Sequence, residues 1–288
     1  MRSPLNCVGG KFYSREHILS FFPPPKTYTA YCEVCGGAAH VLLAKPTFNH
    51  LEIYNYYNND LVNFWMQCRD NVEELQQRCD SLPYARSLYN EYHASLWDGT
   101  MLETTERAVR WFYVLRSSFS GNIRKSRGGW GYAISGDIPI LRSSSYHSAI
   151  SIFQEVSSRF RNIQIECQDF EKIIKVYERP TTFFYCDPPY IGHEDYYGGV
   201  PLFDLADHER LAQILNATPA KVALSYYPDE KLDEWYPTSK WRRMTWEVNK
   251  HSEGLKAGKK RQKATELMLM NYPPSDQSLW DWSATASK

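Results

Sequence analysis

Several runs of apolar residues without polar alternation predict strands that are buried on both faces of a sheet. Segments with helical spacing of apolar positions separate these runs, which is typical of a parallel sheet with helices on its faces. A final pair of runs predicts a closing antiparallel pair around a basic loop. The predicted strands are 28–35, 51–56, 163–167, 181–186, 221–227, 241–248 and 265–271, and the predicted helices include 14–22, 58–69, 146–160, 207–215 and 229–235.

The middle of the chain interrupts this alternation. Residues 83–119 predict helices rich in Tyr, Trp and Arg, and residues 121–131 form a glycine-rich basic loop or hairpin. We therefore expect an inserted lobe over residues 81–145. The flanking segments, 1–80 and 146–288, then form one α/β domain.

The strand at 181–186 ends abruptly in Asp187, Pro188, Pro189 and Tyr190. Consecutive prolines cannot donate to a sheet ladder, so the backbone leaves the sheet in a stiff turn. The carboxyl end of a central strand is where open α/β sheets bind ligands. The Asp187 carboxylate and the Pro188 carbonyl can orient the two hydrogens of an aromatic exocyclic amine, while Tyr190 offers a stacking face. The turn thus predicts alkylation of such an amine; the alternative is a plain loop, as expected for Tyr272-Pro273-Pro274.

The net charge and the distribution of charged residues along the chain give different indications about a nucleic-acid partner. The formal net charge is zero, from 33 basic and 33 acidic residues, which alone argues against a nucleic-acid partner. However, residues 107–142 hold seven Lys or Arg against Asp137, and residues 240–263 hold nine against two glutamates. Two basic runs of this kind suit phosphate contacts, although solvated surface is the alternative.

Composition narrows the class of protein. The 288 residues, 43% of them apolar, suffice for the core of one large α/β domain. No apolar run approaches a membrane span and no signal-peptide pattern begins the chain, so we expect a soluble, intracellular protein. Seven cysteines in an irregular pattern predict no disulfide framework. The lone pair Cys32 and Cys35 favours buried thiols over zinc, and no metal is expected.

Four segments occur in the order found in Dam-type (D12 class, α-group) DNA adenine-N6 methyltransferases, especially phage-like members. The similarity spans residues 9–80 and 160–275. It implies a Rossmann-like methyltransferase sheet of about seven strands with the last one antiparallel, and an inserted, mostly helical target-recognition lobe. The matching segments are Gly9-Gly10-Lys11, Glu33-Val34-Cys35-Gly36-Gly37-Ala38-Ala39, Asn58-Asn59-Asp60-Leu61-Val62-Asn63 and Asp187-Pro188-Pro189-Tyr190.

The resemblance also implies a cofactor and a set of site residues. Asp187, Pro188, Pro189 and Tyr190 would hold a flipped-out adenine while S-adenosylmethionine (SAM) delivers a methyl group to N6. Asp169 would accept the SAM adenine amine beside Phe170; its alternative role is to cap the following helix, and both can hold. The expected SAM-binding residues are Gly10, Lys11, Glu33, Cys35, Gly36, Gly37, Ala38, Tyr56, Asp169, Phe170 and Asp187.

DNA contacts are expected from the inserted lobe and from a polar loop after Tyr190. For Trp130, packing under the loop is as good an interpretation as base contact. We interpret His193 as a loop or phosphate contact rather than a general base, because the N6 proton becomes acidic after methyl transfer. The expected DNA-binding residues are Arg116, Arg124, Lys125, Arg127, Trp130, His193 and Tyr197.

Two departures from the family pattern leave alternatives open. Val34-Cys35 stands where the family usually has Pro-Phe, and Tyr56 stands where an Asp usually binds the ribose hydroxyls; Asn55 or Asp60 could replace that Asp. A catalytically impaired DNA-binding relative is therefore one alternative. Another is an N-methyltransferase acting on RNA or on protein amides, since related Asn-Pro-Pro-Tyr turns serve such enzymes. Asp187 in place of Asn, the basic insertion and the motif order favour DNA.

The resemblance further implies double-stranded DNA as the partner and the cytoplasm of a bacterial or phage-infected cell as the location. The expected assembly is a monomer or weak dimer. A cognate restriction endonuclease would be a functional rather than a physical partner.

Overall fold

The apolar runs form the parallel part of a seven-stranded sheet in the computed structural model, which describes residues 1–123, 129–131, 134–135, 138–139, 141–194, 203–249 and 263–273. The strands are β1 (Ala30–Glu33), β2 (Leu51–Asn55), β3 (Ile134–Ser135), β4 (Ile138–Pro139), β5 (Ile163–Glu166), β6 (Thr182–Cys186), β7 (Lys221–Tyr226), β8 (Arg242–Asn249) and β9 (Lys263–Met270). The order across the large sheet is β5-β2-β1-β6-β7-β9-β8.

Five neighbouring strands, from β5 to β7 in that order, are parallel. Strand β9 runs antiparallel to both of its neighbours, β7 and β8. The predicted α/β sheet of about seven strands with an antiparallel last strand is therefore confirmed. The short strands β3 and β4 form a separate antiparallel pair within the inserted segment.

Helices cover both faces of the sheet. They are α1 (Arg15–Ser20), α2 (His40–Ala44), α3 (Asn59–Asp70), α4 (Val72–Asp80), α5 (Arg86–Ser95), α6 (Thr104–Ser117), α7 (Arg142–Ile150), α8 (Phe153–Phe160), α9 (Phe170–Tyr177), α10 (Leu205–Ala217) and α11 (Lys231–Trp235). Short 3-10 turns lie at Pro25–Thr27 and Phe119–Gly121.

Helix boundaries differ from the predictions where side chains bond the backbone. The helix predicted over 146–160 is two helices, and the Ser151 hydroxyl at the break donates to the Ser148 carbonyl, a local bond that competes with a continuous helix. Helix α10 begins before the predicted Asp207 because Asp204 caps it: its side chain accepts from the Asp207 amide at 3.0 Å.

The core lies in two layers, and alternation along the central strands decides which side chain enters which layer. On β6, Phe183 and Tyr185 face the layer built from α1 to α8. Phe184 and Cys186 face the layer built from α9, α10 and α11. Both faces of β6 are therefore buried, as its continuous apolar run predicts.

The inserted segment shares the first layer. Phe64 of α3 stacks on Phe112 of α6, with ring centroids 5.3 Å apart. Tyr113 of α6 meets Tyr146 of α7 edge-on, with ring centroids 5.4 Å apart. Residues 81–145 as a target-recognition domain stay a prediction, while α6 is part of the common core.

Two broader expectations concern membranes and metals. In the described part of the chain, no helix combines the length and apolar character that crossing a bilayer requires. Within the same residues, no group of three or more His, Cys, Asp or Glu side chains is arranged to hold a metal ion. Cys32 is buried, Cys35 is half-buried, and all seven cysteines have free thiols.

Candidate active site

A cavity of about 380 Å³ opens where the carboxyl ends of β1, β2 and β6 meet. Its volume lies within the range of small-molecule sites. All of the predicted SAM-binding residues line this one cavity, so the fold brings together segments that lie up to 177 residues apart between Gly10 and Asp187. They are Gly10, Lys11, Glu33, Cys35, Gly36, Gly37, Ala38, Tyr56, Asp169, Phe170 and Asp187.

The turn after β6 forms one end of the site. Asp187 and Pro189 line the cavity, and the Tyr190 ring that follows them is buried. Two further rings hold Tyr190: Tyr227 meets it edge-on at 4.5 Å between centroids, and Tyr226 lies at 5.7 Å. The acid, the prolines and the ring are therefore fixed as one unit at the carboxyl end of the central strand.

Lys11 supplies the positive charge of this unit. Its Nζ lies 2.9 Å from Asp187 Oδ1, 4.6 Å from the centre of the Tyr190 ring and 3.3 Å from the Gly9 carbonyl oxygen. Burial disfavours the ammonium, yet Asp187 holds the pKa of Lys11 above its ordinary value. Burial raises the pKa of Asp187, and the Lys11 charge opposes that rise.

Glu33 is a second buried acid in the cavity. It is 2% exposed and accepts the Tyr31 hydroxyl at 2.9 Å. Burial, with the nearby Asp187 charge, raises the pKa of Glu33 to about 8. Burial also raises the pKa of the neighbouring Cys35 thiol to about 12, so this thiol is neutral at physiological pH.

The glycine turn after β1 is shaped by aromatic packing. A Cβ on Gly36 would lie 2.4 Å from the Tyr54 ring, and Gly37 has a φ of +47°. The Tyr54 hydroxyl donates to the Gly37 carbonyl at 2.6 Å. Gly36 and Ala38 are thereby held against the cavity wall, and the helix that follows, α2, begins only at His40.

Asn55 and Asp60, the two residues near the end of β2 that could replace the usual ribose-binding Asp, differ in whether their side chains are already engaged. The Asn55 side chain donates to the Val34 carbonyl at 2.8 Å and to the Gln168 carbonyl at 3.1 Å. It also accepts from the Gln168 amide at 2.9 Å, so its polar atoms tie β1, β2 and the loop after β5 together. Asp60 lines the cavity and forms a two-pronged ion pair with Arg107. Asp60, unlike Asn55, therefore keeps carboxylate lone pairs for a ligand.

The opposite end of the cavity centres on Asp169 and Phe170. The Asp169 carboxylate accepts the Glu171 amide at 2.9 Å, which confirms the helix-cap alternative. Arg210 of α10 donates to both Asp169 oxygens at 2.8 and 2.9 Å, and its guanidinium lies 4.0 Å from the centre of the Phe170 ring. Arg210 lies 41 residues from Asp169 and carried no local sequence signal.

Aromatic rings also line the cavity from the inserted segment. Trp97 follows α5, and Trp111 lies on α6. Their positions fell in a segment expected to bind DNA, so the sequence pattern did not associate them with this cavity. They supply rings to a cavity whose β1 wall has Val34-Cys35 in place of Pro-Phe.

Three of the predicted DNA-binding residues are described, and Arg116, Trp130 and His193 do not line this cavity. Arg116 donates to the Ser145 carbonyl and hydroxyl at 2.8 and 2.7 Å, and burial lowers the pKa of its guanidinium to about 10. Trp130 packs on Tyr84, with centroids 4.7 Å apart. His193 donates its amide to the Tyr190 carbonyl at 2.9 Å. Their DNA contacts stay predictions; Arg124, Lys125, Arg127 and Tyr197 lie outside the described residues.

A buried histidine behind the turn was not predicted. His208 Nδ1 lies 2.7 Å from the Tyr226 hydroxyl, and its Nε2 lies 3.4 Å from a Glu194 carboxylate oxygen. Because a carboxylate only accepts, these contacts favour the tautomer with the proton on Nε2. His208 thus connects α10 with the strand end that packs on Tyr190.

Comparisons with known proteins agree with this geometry. The family model described as "D12 class N6 adenine-specific DNA methyltransferase" matches residues 8–250. A relative, "Type II methyltransferase M1.LlaDCHI" of Lactococcus lactis subsp. cremoris, is 30% identical over 196 residues. That alignment covers 64% of this chain and 64% of the relative, so the chain spans just under two thirds of the relative's length.

Proposed function

The chain belongs to the D12 class of N6 adenine-specific DNA methyltransferases, and from this premise we propose that it transfers a methyl group from SAM to N6 of a flipped-out adenine in double-stranded DNA. The observation that carries the proposal is the adjacency of the Asp187 turn to a cofactor-sized cavity. One end of that cavity can hold the methyl donor beside the acceptors that would orient the amine.

The residues of the cavity fit SAM. Phe170 offers an apolar face to a nucleobase, and Asp169, held by Arg210, has a carboxylate that can accept an amine hydrogen. Asp60 and Tyr56 stand where sugar hydroxyls would bond, and the turn from Glu33 to Ala38 forms the wall between these ends. When bound, SAM supplies an electrophilic methyl group.

The turn supplies the site for the base. The Asp187 carboxylate and the Pro188 carbonyl would accept the two N6 hydrogens, leaving the nitrogen lone pair directed at the methyl group. Flipping a base costs a few kcal/mol, and stacking on an aromatic ring returns about 1–3 kcal/mol per base. Tyr190 would therefore offset much of the cost of extrusion.

Proton balance also falls to Asp187. Once N6 had taken the methyl group from the SAM sulfur, it would be cationic and its proton acidic. The Asp187 carboxylate, which would already accept one of the two N6 hydrogens, can take that proton and pass it to water. Burial raises the pKa of Asp187, which makes its carboxylate a better proton acceptor than an exposed aspartate.

Tritiated methyl incorporation from SAM into DNA, RNA and protein tests the proposal. We expect label in DNA alone, no label with Asp187→Ala, and DNA binding by that variant close to wild type. Asp80→Ala is the matched control, because Asp80 is exposed and pairs only at the surface with His147. Wild-type turnover by Asp187→Ala would refute the mechanism, and label in RNA or protein would favour the other methyltransferase class.

A catalytically impaired DNA-binding relative is the second candidate. Tyr56 in the cavity and the engagement of Asn55 by backbone groups favour it, since both change the ribose wall. Calorimetry with SAM at millimolar concentration distinguishes the two: no binding heat together with tight duplex binding would favour the impaired protein. The endonuclease link and the monomer or weak dimer stay predictions.

A further inference from the structure

Lys11 stands where the proposed function puts the substrate amine. Its ammonium contacts both groups that would receive the adenine: it pairs with Asp187 Oδ1 at 2.9 Å and lies 4.6 Å from the centre of the Tyr190 ring. A flipped adenine would need this carboxylate and this ring face for itself. Lys11 must therefore move when the base enters.

The displaced ammonium needs another anionic partner, because an unpaired buried charge is costly. Lys11 is 8% exposed, so water does not replace Asp187 fully. Glu266 on β9 is 6% exposed, and its Oε2 has no hydrogen-bond partner among the described residues. Lys11 and Asp187 are the charges that act on this carboxylate.

Strand geometry places Glu266 on the same face as Asp187. Met268 and Met270 of β9 share the layer that also contains Phe183 and Tyr185 of β6. Side chains two residues apart on a strand share a face, so Glu266 lies on the same face as Met268 and Met270. By the same spacing, Asp187 lies on the face of Phe183 and Tyr185. The partner of Tyr226, at the carboxyl end of β7, is Leu267, so Glu266 lies at the edge where the turn begins.

The other buried acid of the site is less suited to receive Lys11. Glu33 already accepts the Tyr31 hydroxyl at 2.9 Å. Glu266 has an oxygen without a partner in the described part of the chain, and an unsatisfied buried acceptor is expected to gain one in some state of the protein.

We propose that Lys11 is a placeholder for the adenine amine in the DNA-free protein, and that Glu266 is the positioning residue that receives the Lys11 ammonium when the base enters. This inference rests on the proposed function. In its second position, Lys11 leaves Asp187 free to accept the N6 hydrogens. Glu266 thus favours the base-bound state without contacting the base.

Fluorescence of 2-aminopurine placed next to the target adenine of a duplex tests this, because the probe brightens when its stacked neighbour leaves the helix and the target keeps its N6 amine; S-adenosylhomocysteine is present to block transfer. The duplex sequence comes from mapping N6-methyladenine in a library treated with the wild type. We expect Glu266→Gln to weaken formation of the flipped, fluorescent complex by about tenfold. SAM affinity by calorimetry should stay within about threefold of the wild type, and Glu247→Gln, an exposed change on neighbouring β8, is the matched control.

Repeating the measurement in the Lys11→Met background separates a role that acts through Lys11 from a merely structural role of Glu266. If Glu266 acts by receiving Lys11, Glu266→Gln has no further effect on flipping once Lys11 is absent. Equal losses in both backgrounds, or wild-type flipping by Glu266→Gln alone, would overturn the inference while leaving the proposed function intact. No fluorescence change with the wild type on any duplex that carries 2-aminopurine beside an adenine would refute the proposed function, and this inference with it.

Discussion

Replacing Tyr56 by Asp tests whether the altered ribose wall limits SAM binding. Tyr56 lines the cavity beside the glycine turn, where a Cβ built on Gly37 would lie 4.0 Å from its ring. Asn55 cannot take over, because its side chain bonds Val34 and Gln168. The phenol at 56 and the Asp60 carboxylate, which Arg107 partly neutralises, are then the groups available to two hydroxyls.

The size of the effect follows from hydrogen-bond strengths. A bond to a charged acceptor contributes about 1.5–3 kcal/mol, and a neutral one about 0.5–1.5 kcal/mol. A carboxylate at position 56 gains about 1–1.5 kcal/mol on each bond, so accepting both hydroxyls should improve binding by about 2–3 kcal/mol. At about 1.4 kcal/mol per factor of ten, this is roughly thirty- to a hundredfold tighter binding of SAM.

Calorimetric titration of SAM into the wild type, Tyr56→Asp and Tyr56→Asn measures this gain. The Asn variant has nearly the same size as Asp but no charge, so it separates charge from the space that the lost ring opens. We expect the Asp variant alone to bind tighter. Equal gains for Asn and Asp, or weaker binding by Asp, would show that the ribose hydroxyls do not bond at this wall.

The other predictions concern stability. Glu52→Gln should lower the free energy of unfolding in urea by about 3–5 kcal/mol, because it leaves the buried cations of Lys45 and Arg159 facing a neutral amide. The exposed change Glu74→Gln should cost under about 1 kcal/mol, and equal losses would contradict this. Burial raises the pKa of Glu33 above its unfolded value of 4.5 to about 8, so the folded state holds a proton that the unfolded state releases between these pH values. As the pH rises from about 4.5 to about 8, the wild type should lose up to about 5 kcal/mol of stability relative to Glu33→Gln. A pH-independent difference between the two would contradict this. His208→Leu should lower the free energy of unfolding by about 1–3 kcal/mol, since the Tyr226 hydroxyl loses its acceptor. His208→Gln should lower it by less, because an amide oxygen can still accept. Thermal unfolding compares the two variants, and equal losses would count against the hydrogen bond.

The sheet could be predicted from the sequence because its signals are local. A strand buried on both faces needs a continuous apolar run, and 181–186 has one whatever its partners are. Helix α3 was equally readable: Asn58 caps it through a bond from the Leu61 amide at 3.0 Å, and the apolar residues on one face enter the core. The boundaries at 151 and 205 differed because they depend on single side-chain bonds to the backbone.

Within the candidate site, only those residues whose roles depend on backbone conformation could be predicted from the sequence. Gly36 and Gly37 permit a backbone and a close approach that other residues do not, and the two prolines after Asp187 restrict the backbone, so their roles leave a trace in the order of residue types. Arg210 leaves none, because what matters is its contact with Asp169 on another helix. An arginine on an amphipathic helix is ordinary surface until the fold shows which acid it faces.

Charge placement shows the same limit at the Asp187 turn. Lys11 was predicted to bind the cofactor because Gly9-Gly10-Lys11 resembles a segment of the family's SAM site, yet its closest charged partner is Asp187, 176 residues later. Glu266 lies on the predicted strand 265–271, where an acid between Thr265 and Leu267 is typical of a solvent-facing position. It is buried because β9 is inserted between β7 and β8, which brings its first half to the edge where β6 ends. Pairings of this kind depend on the order of strands in the sheet, which the apolar pattern of each strand does not specify, and the chemistry proposed for Asp187 depends on them.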